Sequence, residues 1–231
     1  MGGFRARLES GPDVPVRCKK GQALLGYLAC HPLRSHPRDT LATLLWGDMS
    51  QRCARHSLRQ TLFVLRESLP HPTSPVVSSD ADTVWLDATG VVADVLEFDR
   101  LAREGTVQSL ERAGALYHGD LLAGIAVIEP GFEEWLRGER ERLHDLAVEV
   151  FAKLLDLHRR AGATERAIQT GVRLLQLEPL QEAVHRTLMR LYLSLGRLGK
   201  AQRQYRTCEE LLRRELGIEP DTETRQVLGR F

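Results

Sequence analysis

From residue 91 onward the chain carries apolar residues at spacings of three and four, first from Val95 to Leu101, then from Leu110 to Leu122, then through longer runs. That period marks helices with one buried face, and it leaves no alternating stretch for a sheet. The interruptions are equally informative. Gly119-Asp120, Glu129-Pro-Gly131, Glu178-Pro179, Gly196 and Gly217 are helix-ending signals. They predict a long helix from Phe132 to about Arg160, then helices Thr164 to Leu177, about Leu180 to Leu195, and Leu198 to Leu216. Helices with such short connections fold as antiparallel hairpins.

The last two predicted hairpins repeat. Gly162 lies 34 residues before Gly196, and Ala167 lies 34 before Ala201. Thirty-four is the tetratricopeptide period. The glycine closes the first helix of each pair, and the small alanine lets the second approach its neighbour closely. The aromatic and proline positions of the full tetratricopeptide pattern are missing, so the expectation is stacked hairpins of a tetratricopeptide-like kind.

The first ninety residues read differently. Phe4-Arg-Ala-Arg-Leu8 alternates weakly, and Pro12-Asp13 separates it from Val14-Pro-Val-Arg17, which predicts a short hairpin. A helix follows from Lys19, with Ala23, Leu24, Tyr27 and Leu28 on one face, until His31-Pro32. A second starts near Pro37-Arg-Asp-Thr40 and stops at Gly47-Asp48. The third begins after Asp48 or Ser50, either of which could cap it, and runs through Leu69 to Pro70, His71 and Pro72. Val76-Val77 and Thr83-Val84-Trp-Leu86 then bracket a loop, Ser78 to Asp82. Two short helices, a long helix and a hairpin make a winged helix-turn-helix. The predicted fold class is therefore mainly α, with an N-terminal winged helix-turn-helix over residues 1–90 and tetratricopeptide-like hairpins over 91–231.

Charge separates the same two regions. The whole chain has a net charge of only +1. Residues 1–70 hold eleven Lys or Arg against five Asp or Glu, a net of +6, and the remaining 161 hold 21 against 26, a net of −5. A local basic surface suits a nucleic acid, because duplex affinity comes largely from counterions released at phosphates. Other functions find little support. Cys18, Cys30, Cys53 and Cys208 form no CxxC pair and read as reduced packing residues. The eight histidines include no HExxH, and neither a nucleophile elbow nor a glycine-rich phosphate loop is present. Asp120, Glu133, Glu134 and Asp156 fall on patterned helices and are expected to be solvated. No enzyme, catalytic residue, metal or cofactor is expected, and the lack of a signal segment or a long apolar run predicts a cytoplasmic protein with no membrane partner.

The third helix concentrates the positive charge. Ala54, Leu58, Thr61, Leu62, Leu65 and Leu69 form its apolar stripe, and Arg52, Arg55, His56, Arg59, Gln60 and Arg66 its opposite face, with Phe63 and Glu67 among them. Arginine pairs bidentately with guanine and glutamine with adenine, and a helix of this diameter fits the major groove. A surface helix can also be arginine-rich for solubility alone. Its place, third in order and followed by a hairpin, favours base reading.

Lys20-Gly-Gln-Ala-Leu-Leu-Gly-Tyr-Leu-Ala29, Pro37-Arg-Asp-Thr-Leu-Ala42, Leu44-Leu-Trp-Gly-Asp48 and Ala54-Arg-His-Ser-Leu-Arg-Gln-Thr-Leu-Phe-Val-Leu-Arg66 resemble the winged helix of the antibiotic regulatory protein (SARP) family. Tyr117-His-Gly-Asp-Leu-Leu-Ala-Gly124, Phe132-Glu-Glu-Trp-Leu136, Glu139-Arg-Glu-Arg-Leu143, Leu177-Glu-Pro-Leu180 and Glu215-Leu-Gly-Ile-Glu-Pro220 resemble that family's bacterial transcriptional activator domain. The resemblance implies an OmpR-like winged helix that binds repeated promoter half-sites in double-stranded DNA as side-by-side protomers, a homodimer at least on DNA. It also implies contact with RNA polymerase, an activating role and a place at the nucleoid. Carried over by position, Arg55, His56, Arg59 and Gln60 face bases, Arg52 and Arg66 face phosphates, and Lys19, Lys20 and Arg38 are further backbone contacts. Three features depart from the family pattern. The wing shows Asp80 and Asp82 instead of a basic or glycine-aromatic tip, Phe63 replaces a small or polar residue and is expected to pack on the wing or the activator domain, and the N-terminal segment is short. The acidic wing keeps a second reading open, a protein-interaction module whose winged helix no longer binds DNA.

Overall fold

The computed structural model describes residues 1–7, 13–32, 34–69, 75–87 and 91–229. These form a mainly α protein, a winged helix-turn-helix followed along the chain by tetratricopeptide-like hairpins. Two compact units result, Met1–Arg103 with Ala115–Leu143, and Glu104–Gly114 with His144–Phe231.

In the first unit, α1 (Lys19–Ala29), α2 (Arg38–Trp46) and α3 (Gln51–Ser68) bury the faces that their periodicity marks. Leu24 and Leu28 of α1, Leu41 and Leu45 of α2, and Leu58 and Leu65 of α3 are all fully enclosed. Gly21 brings the α1 backbone onto α3, since a Cβ there would sit 3.2 Å from Leu65 Cδ2. A three-stranded antiparallel sheet completes the motif, with β1 (His36–Pro37), β2 (Val77–Ser79) and β3 (Thr83–Leu86) in the order β1-β3-β2. Val77 opposes Leu86, and His36 opposes Val84. Val84 and Leu86 point into the core while Thr83 and Trp85 are half-buried, the alternation of a strand with one buried face.

Several details differ from the sequence expectations. β1 was not predicted, because two residues, one of them proline, carry no period; proline fits there because β1 is an edge strand. The wing loop is Asp80 to Asp82, with Ser78 and Ser79 inside β2. Ser50 occupies the cap position of α3 but its side chain makes no capping hydrogen bond, and the Asp48 carboxyl engages Glu129. Near the start, Arg7 bridges Asp13, and Val14 donates to Ala6 O at 2.7 Å, as in the expected hairpin. The rest of that turn, with Leu8 and Pro12, lies outside the described residues, as do Pro70, His71, Pro72 and the boundary at Gly90.

The first unit also contains α4 (Asp94–Glu104) up to Arg103, the last residues of α5 (Val107–Leu116), and the first part of α6 (Pro130–Arg160). The expected helical run to Leu122 stops at Leu116. Leu122 instead adopts a positive φ of 53° and is buried. Gly26 of α1 makes room for it, because a Cβ at Gly26 would lie 2.7 Å from Leu122 Cδ1. Arg140 donates to the carbonyls of Leu121 and Leu122 at 2.8 and 3.1 Å and so closes this non-helical turn.

In the second unit the rest of α6 is followed by α7 (Thr164–Leu177), α8 (Glu182–Ser194), α9 (Leu198–Leu216) and α10 (Thr222–Gly229). The 34-residue repeat is structural. Gly162 and Gly196 share a φ of +68°, and Ala163 and Arg197, one residue beyond, donate to His158 O and Tyr192 O. This left-handed glycine closure lets the chain reverse at once into the next helix. Ala167 and Ala201 are both fully buried. Gly171 extends the close approach, since a Cβ there would meet Leu188 Cδ2 at 2.9 Å. The core is then Ile168, Leu188, Met189, Tyr192 and Val227 beside Phe151, Leu155, Leu174 and Val184. α10 went unpredicted, although Asp221 is a cap that accepts from Thr224 N at 2.7 Å.

Candidate nucleic-acid interface

The outer face of α3 exists because its inner face is held so firmly. With Ala54, Leu58, Leu62 and Leu65 buried, the residues between them must point outward. Arg52, Arg55, His56, Arg59 and Gln60 are all exposed, and Arg66 is half-buried. The structure thus brings together the base-facing set expected from the sequence. Arg52, His56 and Arg59 lie within one strip, at spacings of four and three. Among the described residues, Arg52, Arg59 and Gln60 have no ion-pair or hydrogen-bond partner.

Arg55 is different. Its Nε and Nη2 donate to the two carboxylate oxygens of Asp39 on α2, each at 2.5 Å. The guanidinium in turn holds the Asp39 carboxyl below the ordinary carboxylate range. A guanidinium gripped along its Nε–Nη2 edge still has its Nη1–Nη2 end available, in a fixed orientation.

Three other sequence candidates hold the fold together. Arg66 donates to Val77 O at 3.0 Å and Ser79 Oγ at 2.6 Å, and Arg38 donates to Asp80 O at 3.0 Å and the same Ser79 Oγ at 2.9 Å. Two cations from two helices therefore converge on one serine at the base of the wing. Lys20 donates to Glu129 Oε1 at 2.6 Å and lies over the Trp46 ring at 5.2 Å. Glu129 is almost wholly buried, and its Oε2 accepts from Gly47 N at 3.0 Å. This carboxylate ties α1, the end of α2 and the start of α6 together. Sequence reasoning read Glu129 only as part of a helix break, since its partners lie 109 and 82 residues away. Lys19 is exposed.

The acidic wing is half explained by the same geometry. Asp80 Oδ1 accepts from Asp82 N, Thr83 N and Thr83 Oγ1 at 2.9, 2.6 and 3.1 Å. Those amides hold its carboxyl below the usual range. Asp80 is thus the brace of the turn, although both Asp80 and Asp82 are exposed. Phe63, expected to pack on the wing or the activator domain, is exposed, with 65% of its surface open.

Among the described residues no group of three or more His, Cys, Asp or Glu could hold a metal, and no helix is long and apolar enough to cross a membrane. The cysteines are free, and burial pushes the thiols of Cys30 and Cys208 up to about 12 and about 11, away from nucleophilic use. Asp120, Glu133 and Glu134 are exposed, and Asp156 pairs with Arg159 and Arg160.

Residues 87–230 match the model of the bacterial transcriptional activator domain. The fold is similar to that of Mycobacterium tuberculosis EmbR, solved in complex with a low-affinity phosphopeptide, with a TM-score of 0.70 at 20% identity. That similarity covers 99% of this chain and 62% of the EmbR chain, so this chain spans under two thirds of the length of that relative. No curated protein matches.

Proposed function

The chain belongs to the family of the bacterial transcriptional activator domain, and from that premise we propose that it is a SARP-type, sequence-specific regulator whose OmpR-like winged helix binds duplex DNA. Residues 1–90 act as the DNA-binding domain and residues 91–231 as the activator domain. The observation that carries the reading is the strip Arg52, His56 and Arg59 with Gln60 beside it, exposed on a helix whose opposite face is locked into the core. Arg59 and Gln60 read base edges directly, Arg55 reads through the end that Asp39 leaves open, and His56 adds a ring donor or acceptor. Arg52 and Lys19 meet phosphates. Arg66, Arg38 and Lys20 contribute charge near the backbone while they brace the wing and the α1 junction. The protein works in the cytoplasm at the nucleoid, as side-by-side protomers on repeated half-sites, with the helical hairpins turned toward RNA polymerase.

Selection of bound duplexes from a random-sequence pool tests this reading. It is expected to enrich a repeated half-site at roughly 10-base-pair spacing. Binding should fall steeply between about 50 and about 200 mM salt. Enrichment of no duplex, or binding indifferent to salt, would instead favour a protein-interaction module, the reading supported by the exposed Phe63 and Val64 on α3.

A further inference from the structure

Phe63 follows Arg59 by four residues and His56 by seven, so it continues the cationic strip along α3. Isolated exposed apolar residues are common on protein surfaces. The position of this one is what matters: an aromatic ring 65% exposed, one turn beyond Arg59 on the same face, where Arg59 and Gln60 offer hydrogen-bonding groups to solvent. It adds nothing to the core, and it occupies the site where a further polar side chain would reach a base.

We propose that Phe63 is a specificity-determining residue that packs against the 5-methyl group of thymine in the major groove. This rests on the reading of α3 as the DNA-facing helix and adds to it the class of base read at one position. Thymine alone offers an apolar group on its major-groove edge; guanine, adenine and cytosine present acceptors or an amino donor there. A phenyl ring pressed against those polar groups would strip them of water and return no hydrogen bond, so it discriminates against them. Four residues advance about 6 Å along a helix, so the thymine is expected within about two base pairs of the base that Arg59 reads. The half-site then combines hydrogen-bonded purines with a neighbouring thymine, matching the mixture of side chains on the strip.

The test uses duplexes that the intact chain has selected from a random pool. Each thymine of the half-site is replaced in turn by deoxyuridine, which removes only the methyl group. One thymine per half-site is expected to respond, with affinity falling about fourfold, the factor carried by one buried methyl-sized group. Phe63→Ala, which should fold normally at so exposed a position, is expected to bind the thymine and deoxyuridine duplexes equally, while Phe63→Leu keeps part of the preference. A site in which every thymine tolerates the replacement would overturn the proposal. So would a Phe63→Ala chain that still discriminates. Both results leave DNA binding by α3 standing. Failure to enrich any duplex removes the DNA-binding reading itself, and the thymine contact with it.

Discussion

The outer face of α3 and the helix junctions use the same cations to opposite ends. On α3, Arg52 and Arg59 face solvent with no acidic partner among the described residues. At the junctions, Lys20 meets the buried Glu129, Arg142 grips Asp99 and Glu139, Arg197 meets Glu165, and Arg186 meets Asp221 and Glu223. A cation matched by a local carboxylate fixes one geometry and has little left to offer a polyanion. One left unmatched on a rigid helix keeps its field and its donors for a ligand. The placement of carboxylates, more than the count of arginines, therefore divides charge held within the fold from charge left open to solvent. Arg55 falls between the two classes, because Asp39 both neutralises it and aims it.

Substitutions separate the two classes. The largest effect is expected at a junction. Glu129→Ala leaves Lys20 and the Gly47 amide without their shared acceptor, and removing one member of so enclosed a pair costs about 3 kcal/mol. Thermal denaturation of the whole chain should show it, with a clear drop in the melting temperature. On the open face the pattern reverses. Arg59→Ala should cost about 1–3 kcal/mol in binding to a selected duplex and relax preference at one base pair, with a stability change within about 0.5 kcal/mol. If Arg59→Ala melts early, or Glu129→Ala melts as the parent does, the distinction between matched and unmatched cations fails.

A smaller and more local effect is expected at the end of the second unit. Arg186, mostly covered, donates to Asp221 Oδ2 at 2.8 Å and to Thr224 Oγ1 at 3.1 Å. The Thr224 amide and, after it, the arginine hold the Asp221 carboxyl down to about 2. Arg186→Ala should loosen α10 alone. In hydrogen exchange the amides of Thr224 to Gly229 would lose protection while α8 and α9 keep theirs. Equal loss throughout all three helices would mean that Arg186 supports the entire hairpin stack.

Regular helices and their breaks were legible in the sequence because they depend on local spacing. The stripes of α3, α7 and α9 and the paired closures at Gly162 and Gly196 can be read within a few residues of chain. The exposed face of α3, with Arg52, Arg55, His56, Arg59 and Gln60, was legible for the same reason: once the apolar stripe of the helix is placed, its other face follows. What the sequence did not reveal was set by distant partners. Glu129 acquires its role from Lys20 and Gly47, Arg38 and Arg66 from a shared Ser79, and Asp80 from a turn two residues tighter than expected. β1 owes its strand conformation to β3, with no period of its own. Phe63 was expected to pack on the wing or the activator domain, and the fold leaves it 65% exposed.

The smallest expected effect concerns sites where the fold refuses a charge. His185 is buried, its Nε2 2.9 Å from Pro179 O and its Nδ1 2.7 Å from Gln204 Nε2. The ring is satisfied as the neutral form that donates from Nε2 and accepts at Nδ1. His36 is buried among the rings of Tyr27 and His31, at 5.1 and 5.4 Å, and its Nε2 has no partner among the described residues. Burial pushes both side chains below the ordinary histidine value of 6.5; at His36 the nearby His31 and Arg34 add to it. The unfolded chain therefore takes up these protons first as pH falls. Stability from this source should be constant above about pH 6.5 and decline below it, down toward the depressed folded values. The melting temperature should drop between about pH 7 and about pH 5.5. His36→Phe keeps a ring against Tyr27 and His31 without the titratable group, and it should flatten that decline. A melting temperature unchanged over the interval would mean that the fold accepts charge at these two positions as readily as α3 displays it on its outer face.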